Sequence, residues 1–261
     1  MNALLSLRGV ARAAIVLAAG ACATANPPAA RPAPVASSRV GMTKTTATVA
    51  PGMVQLEAGY SRARLDQRTR HAFGETLVRI GVAPRTELRA SLSSYTRTIT
   101  PTGTLEGLGD ASAGIKHRLR DPDGWVPAVG IIASTTLPTG HDGISAGGLQ
   151  PEASALVEWK LPHGLRALGQ GTWRDAVAAG DRYGLTQLSA AGRANLGRNG
   201  VAQLEYARVT STRAGAAGVG HLRATGGLRL TPNLQLDGWA GRATTAGKHE
   251  YLFGVGFAQR W

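Results

Sequence analysis

The last twelve residues of the 261-residue chain, 250–261, read EYLFGVGFAQRW. Bulky apolar residues recur at every second position from Tyr251 to Phe257, and small or polar residues stand between them. This period of two predicts a β-strand with one apolar face and one small or polar face. At the edge of a soluble sheet such a strand would promote aggregation. In a transmembrane β-barrel it closes the sheet against lipid, so the strand favours a barrel over a soluble β-sandwich.

Composition narrows the function classes. The formal net charge is +13 and the sequence pI is about 11.1. A basic chain can bind nucleic acid, but the arginines here are scattered along alternating strands, so we predict no nucleic-acid partner. Cys22 is the single cysteine, which excludes an internal disulfide. Beyond the N-terminus, no run approaches the roughly 20 apolar residues that a transmembrane helix needs.

Residues 1–25 are predicted to be a secretory signal peptide. Arg8 and Arg12 precede an apolar run over 13–21, and Ala-Thr-Ala at 23–25 fits a cleavage site. A second interpretation stays open, because the Ala-Gly-Ala-Cys sequence ending at Cys22 is similar to the site where bacterial lipoproteins are acylated. Both interpretations export the protein from the cytoplasm.

Residues 26–50 are rich in Pro, Ala, Ser and Thr. This composition lacks the apolar residues of a core, so it predicts a disordered periplasmic linker. The alternative is a segment that folds back as a plug inside a barrel, for which the residues give no direct support.

Residues 51–261 are predicted to form the barrel domain. Twelve candidate strands alternate apolar and polar positions, and no helix is indicated, so the fold class is all-β: an antiparallel transmembrane β-barrel of about twelve strands. Every second connection is a tight turn, whereas the others are mostly longer, as in outer-membrane barrels. The tight turns are at 83–86 (APRT), 121–124 (DPDG), 162–164 (PHG), 198–200 (RNG) and 231–233 (TPN).

Tryptophan and tyrosine residues cluster at predicted strand ends, which indicates two aromatic girdles at the membrane interfaces. The predicted girdle at the tight-turn ends contains Trp125, Trp159 and Trp261, and the one at the long-loop ends contains Trp173, Tyr183, Tyr206 and Tyr251. The protein is therefore expected in the outer membrane of a Gram-negative bacterium, with the lipid bilayer as its surroundings.

The polar faces of the predicted strands carry charged residues that would line a lumen. These are Glu57, Glu75, Arg79, Glu87, Arg89, Asp110, Lys116, Arg118, Glu152, Glu158, Lys160, Arg166, Arg193, Glu205, Arg223, Arg229 and Asp237. They can satisfy one another in a filled interior, or they can form a polar pathway whose surplus positive charge favours anionic or aromatic-acid solutes. Twelve strands leave room for a narrow channel.

Three stretches resemble the MetA-pathway family of phenol degradation. They are GLGD at 107–110 running into AGIKHRL at 113–119, LPTG at 137–140, and ETLVRIGVAPRTELRASL at 75–92. The resemblance implies an outer-membrane barrel of a kind often labelled as a transporter. Separately, the terminal aromatic Trp261 resembles the C-terminal signal of outer-membrane proteins, which makes the barrel-assembly machinery an expected partner.

The residues do not point to an enzyme. The six histidines are spread singly without metal-ligand spacing, so we predict no catalytic residue, metal or cofactor. The leading hypothesis is a monomeric barrel that passes small solutes passively. A structural or adhesive barrel with a filled lumen is the alternative, and a lipid-modifying hydrolase with a Ser-His pair at the rim is a third.

Overall fold

The computed structural model describes residues 33–39 and 41–261. The predictions for the signal peptide, for Cys22 and for residues 26–32 lie outside this range. Within the described residues, no helix is long and apolar enough to cross a membrane. The strand segments of this part of the chain are β1 (Val54–Leu65), β2 (Arg68–Ala83), β3 (Thr86–Ser91), β4 (Tyr95–Thr100), β5 (Gly103–Leu108), β6 (Ala111–Arg120), β7 (Ala128–Leu137), β8 (Gln150–Lys160), β9 (Leu165–Ala178), β10 (Asp181–Leu196), β11 (Gly200–Ser211), β12 (Val219–Thr231), β13 (Leu234–Thr245) and β14 (Lys248–Arg260).

These segments build twelve wall strands, because two wall strands are interrupted. β3 and β4 pair with different halves of β2 and together form one wall strand, broken at 92–94. β5 pairs with β4 and β6 pairs with β3, so these two segments form the next wall strand, broken at 109–110. Each neighbouring pair is antiparallel, and β1 pairs with both β2 and β14. The predicted closed antiparallel barrel of about twelve strands is confirmed.

The terminal strand closes the barrel. β14 pairs with β1 along a continuous register that runs from Gln55 opposite Arg260 to Leu65 opposite Glu250. Beyond it, the backbone N–H of Trp261 donates to the carbonyl of Val54 at 2.9 Å. The closure pairs the backbone groups that would otherwise face hydrocarbon, where each unpaired group costs several kcal/mol.

The two faces of the wall reverse the burial pattern of a soluble protein. On β8, Ser154 is buried at 5% exposure while its neighbour Ala155 is exposed. On β2, Arg79 is buried at 4% while Ile80 is exposed at 38%. Large apolar residues therefore cover the outside and polar residues fill the inside, as an apolar solvent around the barrel requires.

The two ends of the barrel differ. The predicted short turns join β2 to β3, β6 to β7, β8 to β9, β10 to β11 and β12 to β13, and we call this end the turn end. At the opposite loop end lie the longer connections 138–149 and 212–218, but β1–β2, β4–β5, β9–β10 and β13–β14 are joined there by two-residue turns, so the prediction that the connections at this end are mostly longer is wrong. These strands continue further than their sequence pattern indicates. The two longer connections are typical of the external side of outer-membrane barrels, so we expect the loop end to face the cell exterior.

An ion cluster ties two neighbouring turns together at the turn end. Asp121 accepts hydrogen bonds from Arg118 and from Arg85, which belongs to the β2–β3 turn. The hydrogen bond from Arg118 lowers the pKa of Asp121 below its ordinary value, and the positive charge of Arg85 acts in the same direction.

At the loop end, two stretches that are distant in sequence form a clasp, which we define as residues 107–110 with 137–141. The backbone N–H of His141 donates to the carbonyl of Leu108 at 2.9 Å, and the His141 ring accepts from the Leu108 N–H at 2.7 Å. Asp110 accepts from the backbone N–H groups of Gly140 and Ala146, each at 2.9 Å. The clasp fixes the long β7–β8 connection where β5 has no neighbour other than β4.

Replacing Gly140 with alanine should loosen the clasp. A Cβ at this position would lie 2.9 Å from the carbonyl carbon of Gly109 and from the carbonyl oxygen of Leu108, and backbone atoms cannot give way easily. We expect Gly140→Ala to lower the free energy of unfolding by about 1–3 kcal/mol and to expose 138–149 to proteolysis. Gly192→Ala is the control, because a Cβ there meets nothing within 4 Å. Equal unfolding midpoints in urea and equal cleavage of both variants would contradict this role.

Substitutions at two adjacent residues of β8 test which face of the wall contacts lipid. Ala155→Arg places a charge on the outer face and should cost ~2–4 kcal/mol if the site lies near the bilayer midplane. Ser154→Arg places the same side chain on the inner face, beside a cavity, and should cost far less. Urea unfolding in lipid vesicles measures both free energies. Similar losses for the two variants would show that the wall does not separate lipid from a polar interior.

Candidate functional site: the plugged lumen

Residues 33–39 and 41–50 occupy the barrel interior, and we call this segment the plug. It enters at the turn end, where the N–H of Val35 donates to the carbonyl of Pro232 at 2.9 Å and Arg260 donates to the carbonyl of Ala33 at 2.6 Å. It leaves at the same end, where the N–H of Gly52, just after the plug, donates to the carbonyl of Gly81 near the end of β2 at 2.9 Å. For these residues the predicted disordered linker is wrong, because their backbone is hydrogen-bonded to the wall.

Glutamates of the wall hold the first half of the plug by its backbone. Glu57 accepts from the N–H groups of Ser38 and Arg39, both at 2.7 Å. Glu205, on the other side of the lumen, accepts from the N–H of Thr43 at 2.7 Å and from the N–H of the residue before it at 2.9 Å. Hydrogen bonds to a charged acceptor are about twice as strong as neutral ones, so two carboxylates fix this half.

Two further glutamates hold the second half. Glu158 accepts from the N–H of Thr46 at 2.8 Å and from its hydroxyl at 2.9 Å. Glu87 accepts from the N–H of Val49 at 2.7 Å. The four residues Glu57, Glu87, Glu158 and Glu205 together form what we call the glutamate clamp. Each is almost completely buried.

Two basic residues of the wall pair with the glutamate clamp and with the plug backbone. Arg79 donates to Glu57 at 3.1 Å and to Glu87 at 2.8 Å, so one guanidinium links two members of the glutamate clamp. Lys116, at 1% exposure, donates to the carbonyls of Thr45 and Ala47, each at 2.7 Å. Wall carboxylates thus bind plug N–H groups while a wall ammonium binds plug carbonyls. Buried charges are tolerated only with such pairing.

The side chain of Arg39, in the plug, binds the part of the wall where β1 and β14 meet. It forms ion pairs with Glu75 and Asp237, both at 2.8 Å. Its guanidinium lies against Gly59 and Gly256 of β1 and β14, and a Cβ at Gly59 would come within 2.5 Å of its terminal carbon. Glycine at these wall positions therefore provides the space that Arg39 occupies.

A cavity of about 560 Å³ lies on the loop-end side of the plug. Plug residues, including Arg39 and Lys44, form its floor, and wall residues such as Ser112 and Glu152 come from the loop-end halves of β6 and β8. Trp239 also lines it, with the guanidinium of Arg223 3.8 Å above the indole ring. The lumen is thus closed by the plug toward the turn end and roomy toward the loop end.

The charged residues predicted to line the lumen occupy three environments. Glu57, Arg79, Glu87, Lys116, Glu158, Glu205 and Asp237 are buried. Partly exposed positions are Glu75, Arg89, Asp110, Arg118, Glu152, Arg166, Arg193, Arg223 and Arg229. Lys160 is exposed at the end of β8. The structure brings most of the buried set onto the plug, which the sequence pattern did not indicate.

Sequence reasoning missed several residues of the site. Arg39 and Lys44 were assigned to the linker, and Lys44 donates to the carbonyls of Ser38 and Gly41 inside the lumen. The uncharged Gln203 also belongs to the site, because it is buried and donates to the carbonyl of Thr43 at 3.3 Å. Its position two residues before Glu205, on the same face of β11, was the available signal.

The predicted girdle residues lie on or near the outer surface. Trp125, Trp173, Tyr206, Tyr251 and Trp261 are exposed, whereas Trp159 and Tyr183 are partly exposed. Arg213 stacks over the Tyr183 ring, 5.1 Å from its centroid. Tyr206 lies in the middle part of β11 rather than at its end.

Among the described residues, histidine side chains form isolated hydrogen bonds rather than a cluster. His71 bonds the hydroxyl of Tyr60, His117 bonds Thr86 and His249 bonds Thr244. No hydrogen bond joins a serine hydroxyl to a histidine in the part of the chain that the structure describes. In the same range, no group of three His, Cys, Asp or Glu side chains could hold a metal ion.

Solved structures with the same architecture are outer-membrane barrels. The COG4313 outer membrane channel from Pseudomonas putida F1 superposes with a TM-score of 0.58 at 14% identity, over 82% of this chain and 97% of that one. The NanC porin gives 0.56 at 9% identity, over 78% and 98%. The KdgM porin gives 0.51 at 8% identity, over 77% and 97%. At these identities the likeness establishes the fold.

The sequence itself identifies the family. No curated protein matches the chain. Residues 37–261 match the family described as "Putative MetA-pathway of phenol degradation", and the match includes the plug from Ser37 onward as well as the whole barrel. The closed barrel, its apolar outer face and this match together make the protein an outer-membrane β-barrel that belongs to the MetA-pathway family of phenol degradation.

Proposed function

We propose that the protein is a passive outer-membrane channel for small solutes and that the plug is its closing element. The observation that carries this proposal is the division of the lumen. A cavity of about 560 Å³ on one side is separated from the turn end by a single segment of chain, which is held by hydrogen bonds rather than by a folded core. Such a segment can leave without unfolding the wall.

The charge around the cavity favours an anionic solute. Its three carboxylates are already engaged: Glu75 by Arg39 and Ser61, Asp110 by the backbone N–H groups of Gly140 and Ala146, and Glu152 by Arg174. In contrast, Lys44 forms no ion pair with any described residue and donates to carbonyls. A narrow passage with unneutralised positive charge attracts anions.

The indole of Trp239 lines the same cavity, with the guanidinium of Arg223 stacked on its ring. A small aromatic acid would match both features, because its carboxylate can bind the cations while its ring contacts the stacked pair of Arg223 and Trp239. The family description, which refers to phenol degradation, supports an aromatic solute. The names of the COG4313 channel and of the NanC and KdgM porins support passive passage.

The filled lumen also favours a second candidate, a structural or adhesive barrel. In that case the glutamate clamp is permanent and the plug stabilises the wall from inside. The polar networks of the interior fit this function equally well. Conductance measurements separate the two candidates.

Removing residues 33–48 should open the barrel. In planar bilayers we expect low conductance from the full-length protein, because the plug blocks the turn end. The deletion variant should give larger single-channel currents, with a reversal potential in a KCl gradient that indicates anion preference. A variant lacking 26–32 is the control, because it shortens the chain and keeps the plug.

An absence of current from the folded deletion variant at any salt concentration would reject the channel and favour the structural barrel. Equal currents from the full-length and deleted proteins would reject the plug as the closing element.

Weakening the glutamate clamp should release the plug without deleting it. Thr43 is buried at 2% and its hydroxyl has no hydrogen-bond partner, so Thr43→Cys, made with Cys22→Ser, introduces a thiol without breaking a hydrogen bond. Adding Glu205→Gln removes the charge that holds the Thr43 N–H, and we expect roughly tenfold faster maleimide labelling, the equivalent of losing about 1.4 kcal/mol. Glu152→Gln is the matched control, because Glu152 bonds Arg174 rather than the plug. Equal labelling rates would mean that Glu205 does not hold the plug.

A further inference from the structure

The outer face of the barrel carries an aromatic cluster where the first and last strands meet. Tyr60 of β1 contacts Phe73 of β2 and Phe253 of β14, with ring centroids 5.1 and 6.2 Å apart, and Phe73 contacts Tyr95 of β4 at 6.2 Å. Phe73, Tyr95 and Phe253 are exposed at 40–44%. Aromatic residues on the outside of a barrel concentrate at the boundary between hydrocarbon and headgroups.

Arginines follow this cluster in the direction of the loop end. Along β1, Arg62 and Arg64 come two and four residues after Tyr60, so strand alternation puts them on its face. The pairing register places Arg62 opposite His71 of β2, and His71 opposite Arg97 of β4. Arg64 is opposite Tyr251, which in turn is opposite Arg242 of β13. These four arginines therefore cover adjacent strands on one side of the barrel.

The patch formed by Arg62, Arg64, Arg97 and Arg242 has little internal neutralisation. Among the outward positions of the described strands β13, β14, β1, β2, β4 and β5, only one residue is a carboxylate. This residue is Glu106, which lies opposite Arg97 and pairs with it at 3.2 Å. Arg62, Arg64 and Arg242 form no ion pair with any described residue, and Arg62, which is only partly exposed, also borders the lumen cavity. Arg64 and Arg242 are exposed. Positive charges on nearby strands of one face repel one another, and an anion bound between them relieves that repulsion.

We propose that this arginine patch binds the phosphates of a phosphorylated glycolipid in the outer leaflet, of the lipid A type. The aromatic cluster sets the depth, since it marks the start of the headgroup region and the arginines lie on its loop-end, external side. Guanidinium groups bind phosphate in a bidentate manner. The apolar positions below, including Phe253 and Val255, offer a surface for the acyl chains of the same molecule. A lipid therefore satisfies both halves of the site, whereas a free anion satisfies only the upper half.

Native mass spectrometry of the full-length protein in detergent, without divalent cations, tests the proposal. Diphosphoryl lipid A is the probe, and lipid A from which both phosphates have been removed is the comparison. We expect diphosphoryl lipid A to bind at least about tenfold more tightly than the dephosphorylated form, because basic residues near a membrane surface attract the phosphates of anionic lipids. This comparison needs no variant, so it does not depend on the folding of a mutant.

The triple variant Arg64→Gln, Arg97→Gln and Arg242→Gln should lose this preference. Arg182→Gln with Arg208→Gln is the matched control, because both arginines are exposed at the loop end of β10 and β11, away from the patch. The proposal fails if the two lipids bind equally, if the control variant loses as much binding as the triple variant, or if inorganic phosphate at the lipid's concentration displaces it. None of these outcomes depends on conductance, so the result is independent of the channel proposal.

Discussion

Pairing between the first and last strands is the constraint on which the rest of the structure depends. In hydrocarbon, a free strand edge leaves N–H and C=O groups without partners, and no ordinary side-chain contact compensates for that loss. The β1–β14 ladder removes this edge and converts a sheet into a closed wall. Once the wall is closed, strand alternation assigns every residue either to lipid or to the interior. The outward apolar positions and the inward charges follow from that assignment.

The closed wall creates a problem in its interior. Twelve strands enclose more space than side chains from the wall alone fill, and the inward positions carry charges that need partners. Arg79 and Glu87 solve part of the problem within the wall. The plug solves the rest at the turn end by supplying N–H groups, carbonyls and the guanidinium of Arg39. Toward the loop end, none of the described residues forms a second plug, and a cavity remains.

The fold could be predicted from the sequence because its determinants are local. Alternation on β14, the turn chemistry at 121–124 and the spacing of short connections are each visible within about a dozen residues. The interruptions at 92–94 and 109–110 were not visible, since they depend on which half of β2 each segment pairs with. The clasp shows the same limit: residues 107–110 and 137–140 were each recognised as family stretches, but their contact arises from the β7–β8 connection folding back over β5.

The plug was mistaken for a linker for a physical reason that also explains how it works. A segment poor in apolar residues cannot build a core of its own, and composition measures that ability alone. The glutamate clamp requires no core, because Glu57, Glu158 and Glu205 recognise backbone N–H groups that nearly every residue possesses. Proline is the exception, since it has no N–H to donate. In the described plug, proline occurs at position 34, before the first clamped N–H at Ser38, and the clamped region from 38 to 49 contains none. Recognition through the backbone thus allows a low-complexity sequence to fill a lumen, provided that its prolines stay outside the clamp.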